Sequence, residues 1–190
     1  MTTINTAGRR LITGENTAGR SEFVSDAPTD VTLHVPGHIE MLELWRISRI
    51  PARFTDDNSP VGDPILSPPP GGLVARLVGI PPTGQTSGVD ADEAAAVFEQ
   101  MGGTEARTGG PAQHAGMHRT PTVDLIYVVS GELYAVLDEG EKLLKAGDLL
   151  VQRGTNHAWT NRSNETAYLF AVLIAAEDSV TDNTGNGPES

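Results

Sequence analysis

Two histidines and one carboxylate, His118, Asp124 and His157, fall among short apolar segments and glycines within residues 117–161. Two neutral imidazoles and a carboxylate form a ligand set for a divalent Fe, Mn, Ni or Zn ion. An ion so held keeps up to about three positions open for substrate, water or dioxygen. A histidine within hydrogen-bond reach of a carboxylate is also a general base that needs no metal. The plainer role for both histidines is core packing, and for Asp124 a bond to a backbone donor at the turn after Pro121. An unpaired carboxylate in a folded interior is costly, so Asp124 must meet a metal, a cation or a proton.

Strand alternation puts Thr120 on the face of His118, and Trp159 and Asn161 on the face of His157. Thr120 is positioned to orient a water or a substrate oxygen, Asn161 to hold the His157 loop, and Trp159 to line a pocket. His114 precedes His118 by four residues. On an unbroken strand it shares that face and could stand in as a ligand, although Gly116 argues for a bend and a place at the cavity mouth. His34 and His38 flank Pro36-Gly37 and read as turn residues. Tyr127, Tyr134 and Trp45 read as packing residues, and Arg119 and Arg153 alternate away from the histidines as structural or interfacial ion-pair partners.

The elements that must position these groups are strands. Apolar alternation bounded by Gly, Pro and Asn marks segments 10–13, 21–25, 31–35, 39–48 and 73–80, then 113–120, 124–130, 132–137, 142–145, 149–153, 157–161 and 166–175. In 39–48, Leu42, Leu44, Arg46 and Ser48 fall on one face and Glu43, Trp45 and Ile47 on the other, with Met41 off the pattern. Segment 167–175 is apolar on both faces and must be covered twice, by the core and by other strands or a partner subunit. Residues 90–101 form the one clear helix, acidic at its start and stopped by Gly102-Gly103. It can cover a cavity or reach a neighbouring subunit. The proline-rich stretch 56–72 is a surface connection.

Composition narrows the function. The 190 residues carry 25 acidic and 13 basic side chains, a net charge of −12. Such a surface repels phosphate backbones and anionic lipid, so nucleic-acid and membrane partners are disfavoured. With no cysteine, a disulfide framework, a zinc–thiolate site and a thiol nucleophile are excluded. Residues 1–10 lack the apolar core of a signal peptide, and the longest apolar run, 167–176, is about half of what a spanning helix needs. A soluble, cytoplasmic chain is expected: a frayed segment 1–8, a single domain over 9–176 (strands 9–82, a helix-containing insertion 83–111, a motif-bearing core 112–176), and a polar, disordered tail 177–190.

Two motifs carry a resemblance. His118-x-Thr120, three residues, Asp124, six residues and Gly131 follow the spacing His-x-His, Glu, Gly. Gly147, Gln152, Gly154, His157 and Asn161 follow Gly, Pro-x-Gly-x-x-His, Asn, with glutamine in the proline position and one residue fewer after Gly147. Residues 112–176 thus resemble the cupin superfamily, and Met-His-Arg-Thr with Gln-Arg-Gly-Thr-Asn-His-Ala-Trp resembles a bacterial and fungal subgroup associated with small-molecule biosynthesis. The resemblance implies an all-β, double-stranded β-helix (jelly-roll) barrel with extra N-terminal strands and one short helix, assembled as a homodimer. It implies a divalent metal held by His118, Asp124 and His157. Thr120 stands where the pattern has a second histidine, and Asp124 is one methylene shorter than glutamate. The implied activity is Lewis-acid and proton-transfer chemistry on a small oxygenated molecule, as in a dehydratase, decarboxylase or isomerase. An Fe(II) dioxygenase or other oxidoreductase, a non-catalytic ligand-binding protein, and a metal-free isomerase using a His–Asp pair are the alternatives.

Overall fold

The computed structural model describes residues 8–83, 91–108 and 113–177. Apart from Gly8 and Glu177, the expected frayed ends lie outside them, as do residues 84–90 and 109–111 of the insertion. Among the described residues the chain forms β1 (Arg9–Glu15), β2 (Ser21–Pro28), β3 (Thr32–Val35), β4 (Ile39–Ile47), β5 (Leu73–Ile80), α1 (Ala91–Gln100), a 3-10 turn (Thr104–Ala106), β6 (Thr122–Ser130), β7 (Glu132–Leu137), β8 (Gly140–Lys145), β9 (Leu149–Arg153), β10 (His157–Thr160) and β11 (Ala167–Ala175). No helix among them is long and apolar enough to cross a membrane.

The all-β class and the single short helix match the sequence expectation, but the closed barrel does not form. The described residues form three separate sheets: a hairpin β1-β2, a six-stranded sheet β3-β4-β5-β11-β6-β9 and a three-stranded sheet β10-β7-β8. A closed barrel needs every strand paired on both sides. Here β9 pairs only with β6 and β10 only with β7, so both sheets keep their edges. The two larger sheets meet through side chains: Met41, Val78, Ile126, Val128, Leu169, Ala171 and Leu173 of one pack with Leu133 and Trp159 of the other. The result is jelly-roll-like layers.

Alternation decides which groups face inward. Along β6, Thr122, Asp124, Ile126 and Val128 are buried, while Leu125, Tyr127 and Val129 are 38–45% exposed. β5 turns Val74, Arg76, Val78 and Ile80 inward. On β4 the inward residues are Met41 and Glu43, so Met41 lies on the pattern, and the irregularity falls between Glu43 and Trp45, where the register with β5 shifts. The inner face of β11 is covered, but its outer Phe170 lies beside Tyr127 and Leu149 with all three partly exposed. The described residues do not supply the second cover that a doubly apolar strand needs.

The expected strand over 113–120 is also absent. The Gly116 N–H donates to His114 Nδ1 (3.1 Å) and the Met117 N–H to the His114 carbonyl (2.9 Å). Those bonds close a turn, leaving a single β-bridge residue, His118.

The β6–β7 turn depends on Gly131, which sits at φ 74°, where a Cβ would meet the Ala167 backbone at 2.9 Å. Gly147 also has positive φ (99°) but open space around it. Gly131→Ala is therefore expected to cost about 1–3 kcal/mol in urea unfolding, and clearly more than Gly147→Ala, because strain adds to the clash. Equal losses would mean that the contact with Ala167 is readily relieved.

Candidate functional site

His118 and His157 are joined through the backbone. Each N–H donates to the other's carbonyl at 2.9 Å, forming an antiparallel bridge. Directly opposed residues of such a pair share a face, and the two rings meet with centroids 4.2 Å apart at 48°. On its other side His118 bridges Arg107. The Thr108 N–H donates to the Met117 carbonyl and the Arg119 N–H to the Ala106 carbonyl, so the short segment is held on both flanks.

Each ring is oriented by a second bond. His118 Nδ1 lies 2.9 Å from the Gly116 carbonyl and His157 Nδ1 lies 3.0 Å from the Thr155 carbonyl. A carbonyl only accepts, so both Nδ1 atoms carry the ring proton and each Nε2 is left with a free lone pair. Gln152, in the proline position of the motif, fixes the Thr155 turn by donating to the Thr155 carbonyl at 3.1 Å and to its hydroxyl. Arg119 does the same for Gly154, donating to its carbonyl at 2.6 Å.

Both imidazoles line a cavity of about 160 Å³. Its walls are mostly apolar, with Met41, Val78, Ile126 and Leu173 from the large sheet and Trp159 from the small one. Helix α1 closes it: Ala94, Val97 and Phe98 are buried and line the same space, and the Phe98 ring stands 5.0 Å from that of His118. The Trp159 ring meets His157 edge-on at 5.7 Å.

Burial acts in opposite senses on the titratable groups. It pushes His118 down to about 3, helped by the neighbouring His157 and opposed by the Gly116 carbonyl. It also lowers His157, with the Thr155 carbonyl opposing. It raises Asp124, against a hydrogen bond from Thr122 and the charge of Arg76. Desolvation always penalises the charged form, so one cavity favours neutral imidazole and neutral carboxyl together.

Asp124 is 3% exposed, and its Oδ1 is buried with no hydrogen-bond partner. It lines the cavity with the two histidines. However, among the described residues no three His, Cys, Asp or Glu side chains are gathered as a metal ion would require. The imidazoles fit two ligand positions, and the carboxylate is not brought to a third. The Thr120 hydroxyl lies 2.7 Å from that of Thr122, which ties it to the wall beside Asp124. His114 lines the cavity as well. Because its Nδ1 accepts from Gly116, its Nε2 donates to the Thr160 hydroxyl at 2.8 Å. Neither ring nitrogen is left to replace the missing ligand.

Asn161 belongs to the frame and not to the cavity. Wholly buried, it donates to the carbonyls of Ile80 and Glu165 at 2.8 Å and accepts from Ser163, which pins the end of β10 to the end of β5. Tyr127 faces outward at 45% exposure, and Tyr134 lies under the Arg162 guanidinium. His38 does reach the cavity rim from its turn, pairing with Glu93 of α1 at 3.0 Å. Arg76 also lines it. Its signal was present in the sequence as one charged residue on the inward row of an otherwise apolar strand.

The Cupin domain family matches residues 108–173. The phomopsin biosynthesis cluster protein C′ of Diaporthe leptostromiformis is 32% identical over 88% of this chain and 77% of its own. The oryzines biosynthesis cluster protein J of Aspergillus oryzae is 51% identical over 32% of this chain and 34% of its own. The cupin-domain-containing oxidoreductase srdD of Neurospora crassa is 42% identical over 27% of each chain.

The histidines make acid stability a direct check on the site. Below about pH 6.5 the unfolded chain protonates them, whereas folded His118 waits until about 3. The unfolded state then binds more protons, so stability falls as pH falls through that window. Asp124 has the opposite sign: its contribution is lost as pH rises through its raised value. Urea midpoints between pH 6.5 and 4 should therefore drop less steeply in His118→Gln than in the wild type. Equal slopes would show that His118 is not held neutral.

Proposed function

We propose that this chain, which belongs to the cupin family, is an enzyme of small-molecule biosynthesis that moves protons on a small, largely apolar, oxygenated substrate. Dehydration, decarboxylation and isomerisation share that requirement. The observation that carries the reading is the pair of neutral imidazoles, each with Nδ1 tied to a carbonyl and Nε2 free, across one cavity from a carboxyl group that burial pushes towards its acid form. Groups displaced in opposite directions within one site supply a base and an acid at the same pH.

The chain's own residues divide the work. His157, with its Nδ1 tied to the Thr155 carbonyl and its Nε2 free, is assigned as the base. Two imidazolium ions with ring centroids 4.2 Å apart would repel, so the pair holds one proton at a time. His118 remains neutral, packed against Phe98. Asp124, bonded to Thr122, is the acid facing the substrate oxygen. Helix α1 covers the site, excluding water and strengthening each electrostatic interaction. A divalent ion on His118 and His157 would act as a Lewis acid. The described residues bring no third ligand to it.

A second reading, redox chemistry, is favoured by three partial relatives that are cupin-domain-containing oxidoreductases. The two are separable by mass. With the gene deleted in its host, the accumulating compound should differ from the mature product by nothing, by one water or by one carbon dioxide. Wild type should restore the product, and His157→Ala should restore about a hundredth of it or less. A difference of two hydrogens or of oxygen atoms selects the redox reading, and full rescue by His157→Ala removes the histidine pair from the mechanism.

A further inference from the structure

Among the described residues, three that line the cavity carry a buried polar atom without a partner: His38 Nδ1, Arg76 Nε and Asp124 Oδ1. Arg76, 3% exposed on the inward row of β5, spends Nη2 on the carbonyls of Ile65 and Leu66, both at 2.9 Å, and Nη1 on Met41 Sδ at 3.5 Å. Its Nε–H is buried without a partner, as is Oδ1 of Asp124. Both side chains line the same cavity. In the register Arg76 of β5 lies opposite Ala171 on one side of β11 and Asp124 of β6 opposite Leu173 on the other, so the two flank β11. A buried polar atom left unpaired costs about 1–3 kcal/mol, so two such atoms in one wall mark a place where a ligand atom would be stabilised.

The charges around them limit the kind of ligand. Glu43, opposite Arg76 in the register and wholly buried, is occupied by Arg46 (Nε to Oε1, 2.6 Å) and by the Ile65 N–H (3.1 Å). Glu43 thus has its partners within the wall and leaves none of its oxygens for a ligand. What is missing is one group that both accepts and donates.

We propose that this wall is a recognition site for a hydroxyl group, which accepts from Arg76 Nε–H and donates to Asp124 Oδ1. A carboxyl oxygen can accept from an alcohol in either protonation state, so the geometry does not depend on titration. The rest of the substrate fills the apolar part of the cavity between Ile126, Leu173 and Phe98. Its volume is near that of a protein cavity known to hold benzene, about 150 Å³. The substrate class is therefore a small, otherwise apolar alcohol of about single-ring size, held with its hydroxyl beside Asp124 and its carbon frame towards the imidazoles. The inference rests on the proposed function only in taking this cavity as the substrate site.

Calorimetry with three ligands of one shape tests it: benzyl alcohol, toluene and benzoate. Wild type should bind benzyl alcohol about tenfold more tightly than toluene, the gain from one charge-assisted hydrogen bond. Arg76→Met should abolish that preference while leaving toluene affinity within about twofold. Toluene binding as well as benzyl alcohol in the wild type overturns the proposal, as does benzoate outbinding both. The wild-type series decides the matter even if Arg76→Met does not fold. His157→Ala should keep the benzyl alcohol preference. Preference retained in a protein whose His157→Ala variant rescues biosynthesis would sink the proton-transfer reading and leave the hydroxyl site standing.

Discussion

The site depends on one reciprocal pair of backbone hydrogen bonds, His118 to His157 and back. No closed barrel holds the two sheets in register, and this bridge joins the small sheet, at the first residue of β10, to the segment entering β6. Because directly opposed residues of an antiparallel pair present their side chains on one face, the bridge also brings the imidazoles together. The bonds from Nδ1 to Gly116 and Thr155 then fix what each ring offers. A structural link and a chemical one are thus made by the same two residues.

Around that link, burial does the electrostatic tuning. The same loss of solvent that keeps the imidazoles neutral drives Asp124 towards its acid form. Helix α1 supplies much of it, since Phe98 packs against His118 and Ala94 and Val97 close the cavity. Beneath them, buried Arg76 and Glu43, with half-buried Arg46 paired to Glu43, form a charged layer on the inward faces of β4 and β5. The interior is therefore apolar towards the helix and charged towards β4 and β5, which gives an entering molecule a defined orientation.

Much of this was legible in the residue order. Period-two alternation located β5, β6 and β7, and the spacing of His118, Asp124 and His157 marked them as candidates for one site. What escaped was non-local. Whether sheet edges meet is set by twist and pairing between segments far apart, so nothing in the pattern of β9 or β10 could show that the barrel stays open. The segment 113–120 looked extended, but Gly116 allowed the backbone to fold back onto His114, and a turn formed. Asn161 shared the face of His157 by alternation, yet three backbone carbonyl and side-chain partners drew it into the frame. Arg76 and Glu43 were visible as charges in apolar strands, but only the β4–β5 register shows them to be opposite each other and one of them to border the cavity.

The central claim is that two anchored, neutral imidazoles face each other with both Nε2 lone pairs free. Long-range nitrogen–proton correlation spectra of histidine-labelled protein report it directly. The account predicts that His118 and His157 both show protonated Nδ1 and unprotonated Nε2 at neutral pH, and that His118 keeps this form as pH is lowered through the ordinary histidine range. A protonated Nε2 on either ring at neutral pH, or titration of His118 near 6.5, would contradict it.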